Sequence, residues 1–425
     1  MTEATTPLAT IAGELAGHGN EDLPLAVAQA ALARLATPVA ETESVPLAAA
    51  LGRVLAADLV SPLDVPAHDN SAMDGYSFAG SALRGDGPTQ LPVAGTALAG
   101  HGFDGPAPAA ACIRIMTGAP LPAGHDSVVP QELVSVQDGV LTIPAGAARA
   151  GQHCRRRGED LRRGGVALAA GRRLRPSDLG LAASLGQPTL EVRRRLRVAY
   201  FSTGDELTPP GAPLAPGAIY DSNRTTLGAL LARLSVDAVD LGSVRDDPQA
   251  LAAALAAGAS CDAIVASGGV SVGDADHTRA VFEAAGEVLF WRLALRPGRP
   301  MAIGRMRGGA LLFGLPGNPV AAMVCFQVLV REVLLRLAGA TPRPLPTLVA
   351  RAAVALKKRP GRTEFQRGVL RRGPDGQWEV LPTGDQGSGL LSSMSRADGL
   401  IVLAHERGPV AAGERVELLP FEALD

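Results

Sequence analysis

Lysine is almost missing from this chain. Lys357 and Lys358 are the only lysines in 425 residues, and arginine supplies every other fixed positive side chain. Alanine is correspondingly abundant, so both biases read as genome-wide composition rather than local choice. Cysteine is also scarce. Cys112, Cys154, Cys261 and Cys325 are widely spaced and form no C-x-x-C pair, which removes a zinc ribbon or a disulfide framework and leaves small core residues in a reducing cytosol. No basic excess exists: the formal net charge is −2, so no global field favours nucleic acid. Long apolar runs are missing too. The best apolar helix, Val320 to Val330, ends in Arg331-Glu332 and is too short to span a bilayer. The first twenty residues carry Glu3 and Glu14 and no basic residue before their mild apolar stretch, unlike a secretory signal. The expectation is a soluble, cytoplasmic protein with neither nucleic-acid nor membrane partners. No G-x-x-x-x-G-K-[ST] occurs, so a P-loop is excluded, and no G-x-G-x-x-G opens a helix after a strand.

What is present is enough apolar material, 47% of residues, for several cores. A chain of this length divides into about two to four domains. Residues 1–20 read as a loose tail. Leu25, Ala28, Leu32 and Leu35 have helical spacing that Thr37-Pro38 ends, and a further helix is expected near Pro46 to Leu55. From 59 to about 165, Pro, Gly and short β-prone runs alternate, as in a compact β-rich domain; Arg172 to Leu190 returns to helical spacing. From Leu196 strands alternate with helices up to a helix over Val320 to Leu337, which predicts a parallel sheet covered on both faces. The proline-rich linker Thr341 to Pro346 leads to short strands that read as a small β-barrel or sandwich. The expected domains are 21–58 with 165–195 (helical), 59–164 (inserted, β-rich), 196–340 (α/β, doubly wound) and 341–425 (β).

The most informative segment is Ser267-Gly268-Gly269-Val270-Ser271-Val272-Gly273-Asp274-Ala275-Asp276, directly after the apolar strand 263–266. Glycines let backbone N–H groups turn toward an anion, and a helix start adds its dipole. Carboxylates cannot bind an anion, but they can hold Mg²⁺ beside one. The segment therefore suggests a phosphate-bearing ligand with a metal next to it. The same residues fit G-x-S-x-G, so an α/β-hydrolase-like serine esterase using Ser271, with His277 or His405 as base, is an alternative. Asp274 and Asp276 argue against it, because an oxyanion site avoids negative charge.

Other unusual segments also follow predicted strands, where open parallel sheets bind their ligands. They are Ser202-Thr203-Gly204-Asp205-Glu206, Arg245-Asp246-Asp247-Pro248, Ala294 to Pro300 and Gly314-Leu315-Pro316-Gly317-Asn318-Pro319. Asp247 before Pro248 reads as a helix cap, which leaves Asp246 as the better metal candidate. Asp276 can equally cap a helix. In the β-rich region, His68 to Tyr76 packs polar groups around small residues. Arg155-Arg156-Arg157-Gly158-Glu159-Asp160 reads as a solvated loop slightly more than as an anion clamp.

Together HDNSAMDGY (68–76), CIRIMTGAPLP (112–122), RRRGEDL (155–161), FSTGDEL (201–207), IYDSNR (219–224), RDDP (245–248), SGGVSVGDADHT (267–278), RPGRP (296–300), GLPGNP (314–319) and GRTEFQRG (361–368) resemble the MoeA family, related to the gephyrin E domain. The resemblance spans nearly everything after residue 20. It implies a four-part subunit in a homodimer, with adenylylated molybdopterin and molybdate as substrates, AMP as a product, and Mg²⁺ as helper. It implies a cleft between the α/β domain of one subunit and the β-rich domain of the other. Asp69, Thr117, Asp160, Glu206, Asp246 and Asp276 match family active-site positions, with Asp246 and Asp276 as metal ligands. Thr203, Gly204, Ser267, Gly268, Gly269, Ser271, Gly273, Pro316, Gly317, Asn318, Pro319 and Ser388 are the expected substrate contacts. The family commonly has lysines where this chain has Arg292, Arg296 and Arg299; arginine keeps the charge and offers a planar fork to oxyanions. A binding-only scaffold, as gephyrin suggests, would not need the acidic cluster.

Overall fold

A computed structural model describes residues 7–16, 22–269 and 276–422, and of Asp276 the backbone only. The chain separates into two compact units: one of 1–56, 171–175 and 189–425, the other of 57–170 and 176–188.

The first unit is built on a six-stranded sheet. Its strands are β1 (Arg197–Thr203), β2 (Asp237–Val244), β3 (Ala263–Ser267), β4 (Gly286–Arg292), β5 (Pro300–Met306) and β6 (Leu311–Leu315), in spatial order β2-β1-β3-β6-β5-β4. β2, β1, β3 and β6 run parallel. β5 runs antiparallel to both β6 and β4, so the sheet is mixed rather than wholly parallel. The reason is local: β4 and β5 are joined by a short loop, and β5 and β6 by a tight turn, neither long enough for the helical crossover that parallel pairing requires.

Alternate residues of the strands pack on opposite faces. Val198, Tyr200, Val265 and Phe313 join one core with Leu227, Leu230 and Leu231 of helix α1 (Ser222–Arg233). Ala199, Phe201, Ile264 and Leu312 join another with Leu251 and Leu255 of α2 (Pro248–Gly258) and Phe282 of α3 (Asp276–Ala285). The continuous apolar runs of β1 and β3 follow from burial on both faces. Each such Leu or Phe contributes about 1.5–3 kcal/mol. The predicted helix over 320–337 is α4 (Pro319–Cys325), a π turn (Phe326–Val330) and a last helix (Arg331–Leu337).

Two expectations are corrected. Within the supposed tail, Leu8–Leu15 is a helix that buries Leu8 and Ile11. The helix expected near 46–55 is one 3₁₀ turn, Leu47–Ala49. Gly52 at φ +74° breaks it, and Val54 and Leu55 bridge to Arg173 and Val192 instead. Tertiary pairing overrides the helical spacing there.

The C-terminal strands close into a five-stranded barrel: β7 (Thr363–Arg372), Trp378–Pro382, Leu348–Ala352, Arg415–Pro420 and Gly399–Leu403, the last pairing back to β7. The second unit holds a six-stranded sheet, Ser127–Pro130, Gly75–Phe78, Cys112–Ile115, Thr89–Ala97, Val140–Ile143 and Ser135–Gln137 in spatial order.

Candidate active site

The carboxyl ends of β1, β3 and β6 lie side by side, and the glycine-rich segments interlock there. Gly268 N–H donates to the Leu315 carbonyl at 3.0 Å. Gly268 and Gly269 have φ of +97° and +66°, open to glycine and costly to other residues. A Cβ on Gly268 would sit 2.4 Å from the Thr203 carbonyl oxygen, so only glycine lets these two strand ends approach. Ser267 Oγ donates to the Pro316 carbonyl at 3.2 Å. Asn223, from the first turn of α1, donates to Ser267 Oγ and to the Gly317 carbonyl, each at 2.7 Å. Asn223 was not among the sequence candidates. Its only signal was its place in the motif IYDSNR; Asp221 is the helix cap, accepting from Arg224 N–H at 3.0 Å.

The acidic groups line the same edge. Thr203 Oγ1 donates to Asp246 Oδ1 at 2.7 Å, and Asp246 N–H donates to Asp205 Oδ1 at 3.1 Å. Asp246 is exposed while Thr203 is buried, so an interior hydroxyl fixes a carboxylate that faces outward. Asp247 accepts from Gln249 and Ala250 N–H at 3.0 Å and caps α2, as its place before Pro248 predicts. Glu206 folds back over Gly204, where an added Cβ would meet its Oε2 at 2.7 Å. Asp276 opens α3; its side chain, with Ser271 and Gly273, lies outside the described residues. Among the described residues, no three or more His, Cys, Asp or Glu side chains cluster as a metal site.

The arginines are at this edge too, since β4 ends at Arg292 and β5 begins at Pro300. Arg292 Nε meets Asp22 Oδ1 at 3.1 Å, and Arg299 holds both oxygens of Asp22 at 2.8 and 3.0 Å. Arg296 reaches Glu364 of the barrel at 3.4 Å. Asn318 is exposed at the start of α4 and makes no side-chain cap. Pro319 is the first residue of that helix, and the Ser388 carbonyl accepts from Val320 N–H at 3.1 Å. Ser388 thus stands beside the proline-containing loop.

Asp69, Thr117 and Asp160 belong to the other unit. There Asp69 Oδ1 accepts from Arg157 N–H at 2.7 Å, and Oδ2 from Arg156 Nη1 at 2.8 Å. The Arg157 amide and the Arg156 guanidinium hold its carboxyl below the usual carboxylate range. Leu121 N–H donates to the Asp69 carbonyl, which ties the Thr117 loop to Asp69. Asp74, which the sequence reading left without a role, accepts from both N–H and Oγ1 of Thr117 at 2.7 Å. Asp160 is exposed, its N–H bonded to the Val65 carbonyl at 3.0 Å. The arginine run is therefore the frame of an acidic loop.

The four cysteines are unpaired. Burial pushes Cys112 and Cys325 up to about 12 and Cys154 up to about 11, which disfavours the reactive thiolate. No helix among the described residues is long and apolar enough to cross a membrane.

Known proteins match most of this chain. Residues 23–186 match the MoeA N-terminal region (domains I and II), residues 199–336 a probable molybdopterin-binding domain, and residues 349–421 the MoeA C-terminal region (domain IV). The molybdopterin molybdenumtransferase of Haemophilus influenzae is 43% identical over 90% of this chain and 95% of its own length. Molybdopterin molybdenumtransferase 2 of Mycobacterium tuberculosis is 37% identical over 88% of this chain and 94% of its own. A molybdopterin biosynthesis MoeA structure from Pyrococcus horikoshii aligns with TM-score 0.72 at 31% identity, covering 94% of this chain and 99% of the other. A second MoeA structure from that organism gives 0.80 at 26% identity, over 94% and 100%. These relatives are transferases, which leaves the serine-esterase alternative without support. The chain belongs to the MoeA family of molybdopterin molybdenumtransferases.

Proposed function

We propose that this chain inserts molybdenum, taken up as molybdate, into adenylylated molybdopterin and releases AMP, acting as a cytoplasmic homodimer with Mg²⁺. The observation that carries the reading is the interlocked edge of β1, β3 and β6, where Gly268 and Gly269 open the backbone beside the Thr203-bound carboxylate of Asp246. In chemical terms, both thiol protons of the dithiolene leave with one molybdate oxygen as water while two Mo–S bonds form. One further water adds across the phosphoanhydride, and AMP departs. No electron changes hands.

The chain's residues supply binding and proton handling. Arg292, Arg296 and Arg299 attract the oxyanion and phosphate through charge-assisted bonds. The start of α3 favours negative charge. Glu206 and Asp69 are the proton carriers of the reading. Mg²⁺ is a hard cation that would need carboxylate oxygen to hold it beside the phosphate. Asp246 suits that demand: Thr203 holds Oδ1, and Oδ2 has no hydrogen-bond partner among the described residues. Asp276 is the second proposed ligand. The ion would supply Lewis-acid polarisation of the phosphate.

The test is reconstitution. Purified protein with adenylylated molybdopterin, molybdate and Mg²⁺ is expected to yield active cofactor and stoichiometric AMP. AMP release independent of molybdate would overturn the proposal.

A further inference from the structure

The loop that carries Arg296 is held by the barrel. Leu295–Arg296 runs parallel to the start of β7, with Leu295 opposite Thr363 and Arg296 opposite Glu364. Thr363 N–H donates to the Ala294 carbonyl at 2.8 Å. The arginine loop of the α/β domain is thus an added strand of another sheet. Its position relative to β3 and β6 is set by the barrel as well as by its own domain.

Glu364 is an unusual residue to find there. It is 2% exposed, and carboxylates are seldom buried without purpose. Its Oε1 accepts from Gln366 Nε2 at 3.0 Å and lies 3.4 Å from Arg296 Nη1. Gln366 is itself fixed by a 2.9 Å bond to the Lys357 carbonyl. Oε2 is buried without a hydrogen-bond partner. The neighbouring charge is Lys358, buried, with Nζ donating to the carbonyls of Arg359, Arg407 and His405 at 2.8, 3.2 and 3.4 Å. In a chain that uses arginine nearly everywhere, a lysine stands where three carbonyls converge on a compact ammonium. Burial disfavours the charged form of Lys358, and Glu364 opposes that effect. Arg296, by contrast, has half its side chain exposed.

Resting on the oxyanion role proposed for Arg296, we infer that Glu364 is its positioning residue: the buried carboxylate aims the guanidinium at the sheet edge, so oxyanion binding there depends on a barrel residue that meets no substrate. An ordinary surface ion pair would do little, because two mobile partners fix nothing. Here one partner is immobilised by burial and by Gln366, so the pair constrains only the arginine.

The experiment is a double-mutant cycle in the full chain: Glu364→Gln, Arg296→Ala and both together. Molybdate affinity is read by equilibrium dialysis, beside molybdate KM, kcat and the thermal midpoint. Glu364→Gln is expected to weaken molybdate binding about tenfold, as loss of a charge-assisted contact does, with kcat at saturating molybdate unchanged. In the Arg296→Ala background the same change is expected to have no further effect. Gln366→Met, which keeps both charges but frees Glu364, is expected to act in the same direction more weakly, and it serves if Glu364→Gln does not fold. Additive effects, unchanged affinity in both Glu364→Gln and Gln366→Met, or wild-type protein that binds no molybdate would each overturn the inference. Turnover separates the two readings. Molybdate-dependent AMP release with an additive cycle removes the role of Glu364 alone; a coupled cycle without turnover removes the enzymatic reading and keeps the coupling.

Discussion

Thr203 and Asp246 join the ends of two adjacent parallel strands: the threonine hydroxyl, 6% exposed at the end of β1, donates to the aspartate carboxylate just past β2 at 2.7 Å. The carboxylate is thereby held outward in one orientation. Thr203→Val keeps the shape and removes the donor. A hydrogen bond to a charged group is worth about 1.5–3 kcal/mol. Spent on positioning, that is about a 10- to 100-fold loss of turnover. Activity titrated against Mg²⁺ should show it. Unchanged activity would reduce the bond to a local turn contact.

Gly268→Ala should disable the site out of proportion to its cost in stability. The Cβ would meet the Thr203 carbonyl oxygen at 2.4 Å, and φ is +97°. Gly309 has a similar φ of +95° but open space around it. Gly309→Ala should therefore pay only backbone strain, about 1–3 kcal/mol, and stay active. Denaturation midpoints and turnover of the pair separate strain from displacement of the strand ends. Equal activity in both variants would sink the close-approach argument.

Asp22 neutralises two arginines at once, Arg292 and Arg299. Asp22→Asn should leave both guanidiniums more available to anions. Both arginines are exposed, so stability should move little. The expected readout is tighter sulfate or molybdate binding whose gain fades as salt rises through the 0.1 M range, where the screening length falls to about 10 Å. Weaker anion binding would show that Asp22 orients the arginines rather than competing for them.

Acid should act on the unit of 57–170 and 176–188 through Asp69. Its folded carboxyl lies below the usual value, because the Arg157 N–H and then Arg156 favour the charged form. A depressed folded value means stabilisation that is complete above the unfolded pKa of about 3.9 and is lost as pH falls through the lower, folded value. Thermal midpoints should therefore be insensitive to this group between pH 5 and 8, taken as roughly one unit or more above that pKa. They should drop below about pH 4, and more steeply in wild type than in Asp69→Asn. Parallel acid limbs would remove the linkage.

Asp69 and Asp246 belong to different units of the chain, yet the motif resemblance implies an active-site role for both. Inactive Asp69→Ala and Asp246→Ala proteins, mixed after ultracentrifugation confirms dimers and exchange, should recover part of the activity. In a mixed dimer one of the two proposed sites retains both groups. A mixture that exchanges and stays inactive would place both residues in service of the same subunit.

The sequence by itself settled what depends on local chemistry and order of motifs. The all-buried strand at 263–267, Asp247 as cap before Pro248 and the glycines after Ser267 were legible because each obeys a rule acting over a few residues. The ordered motifs carried the family. Tertiary structure decided the rest. The helical spacing of 46–55 gave way to bridges with Arg173 and Val192, partners more than 100 positions away in sequence. The mixed sheet came from turns too short for crossovers. Asn223, Asp74 and Glu364 stood inside quoted motifs without a role of their own; each gains one only from a group the fold brings to it, Ser267 and Gly317, Thr117, and Arg296. Periodicity reports which face of an element is apolar. It cannot report which polar side chain from a remote segment will meet another, because that contact is fixed by the packing of whole domains.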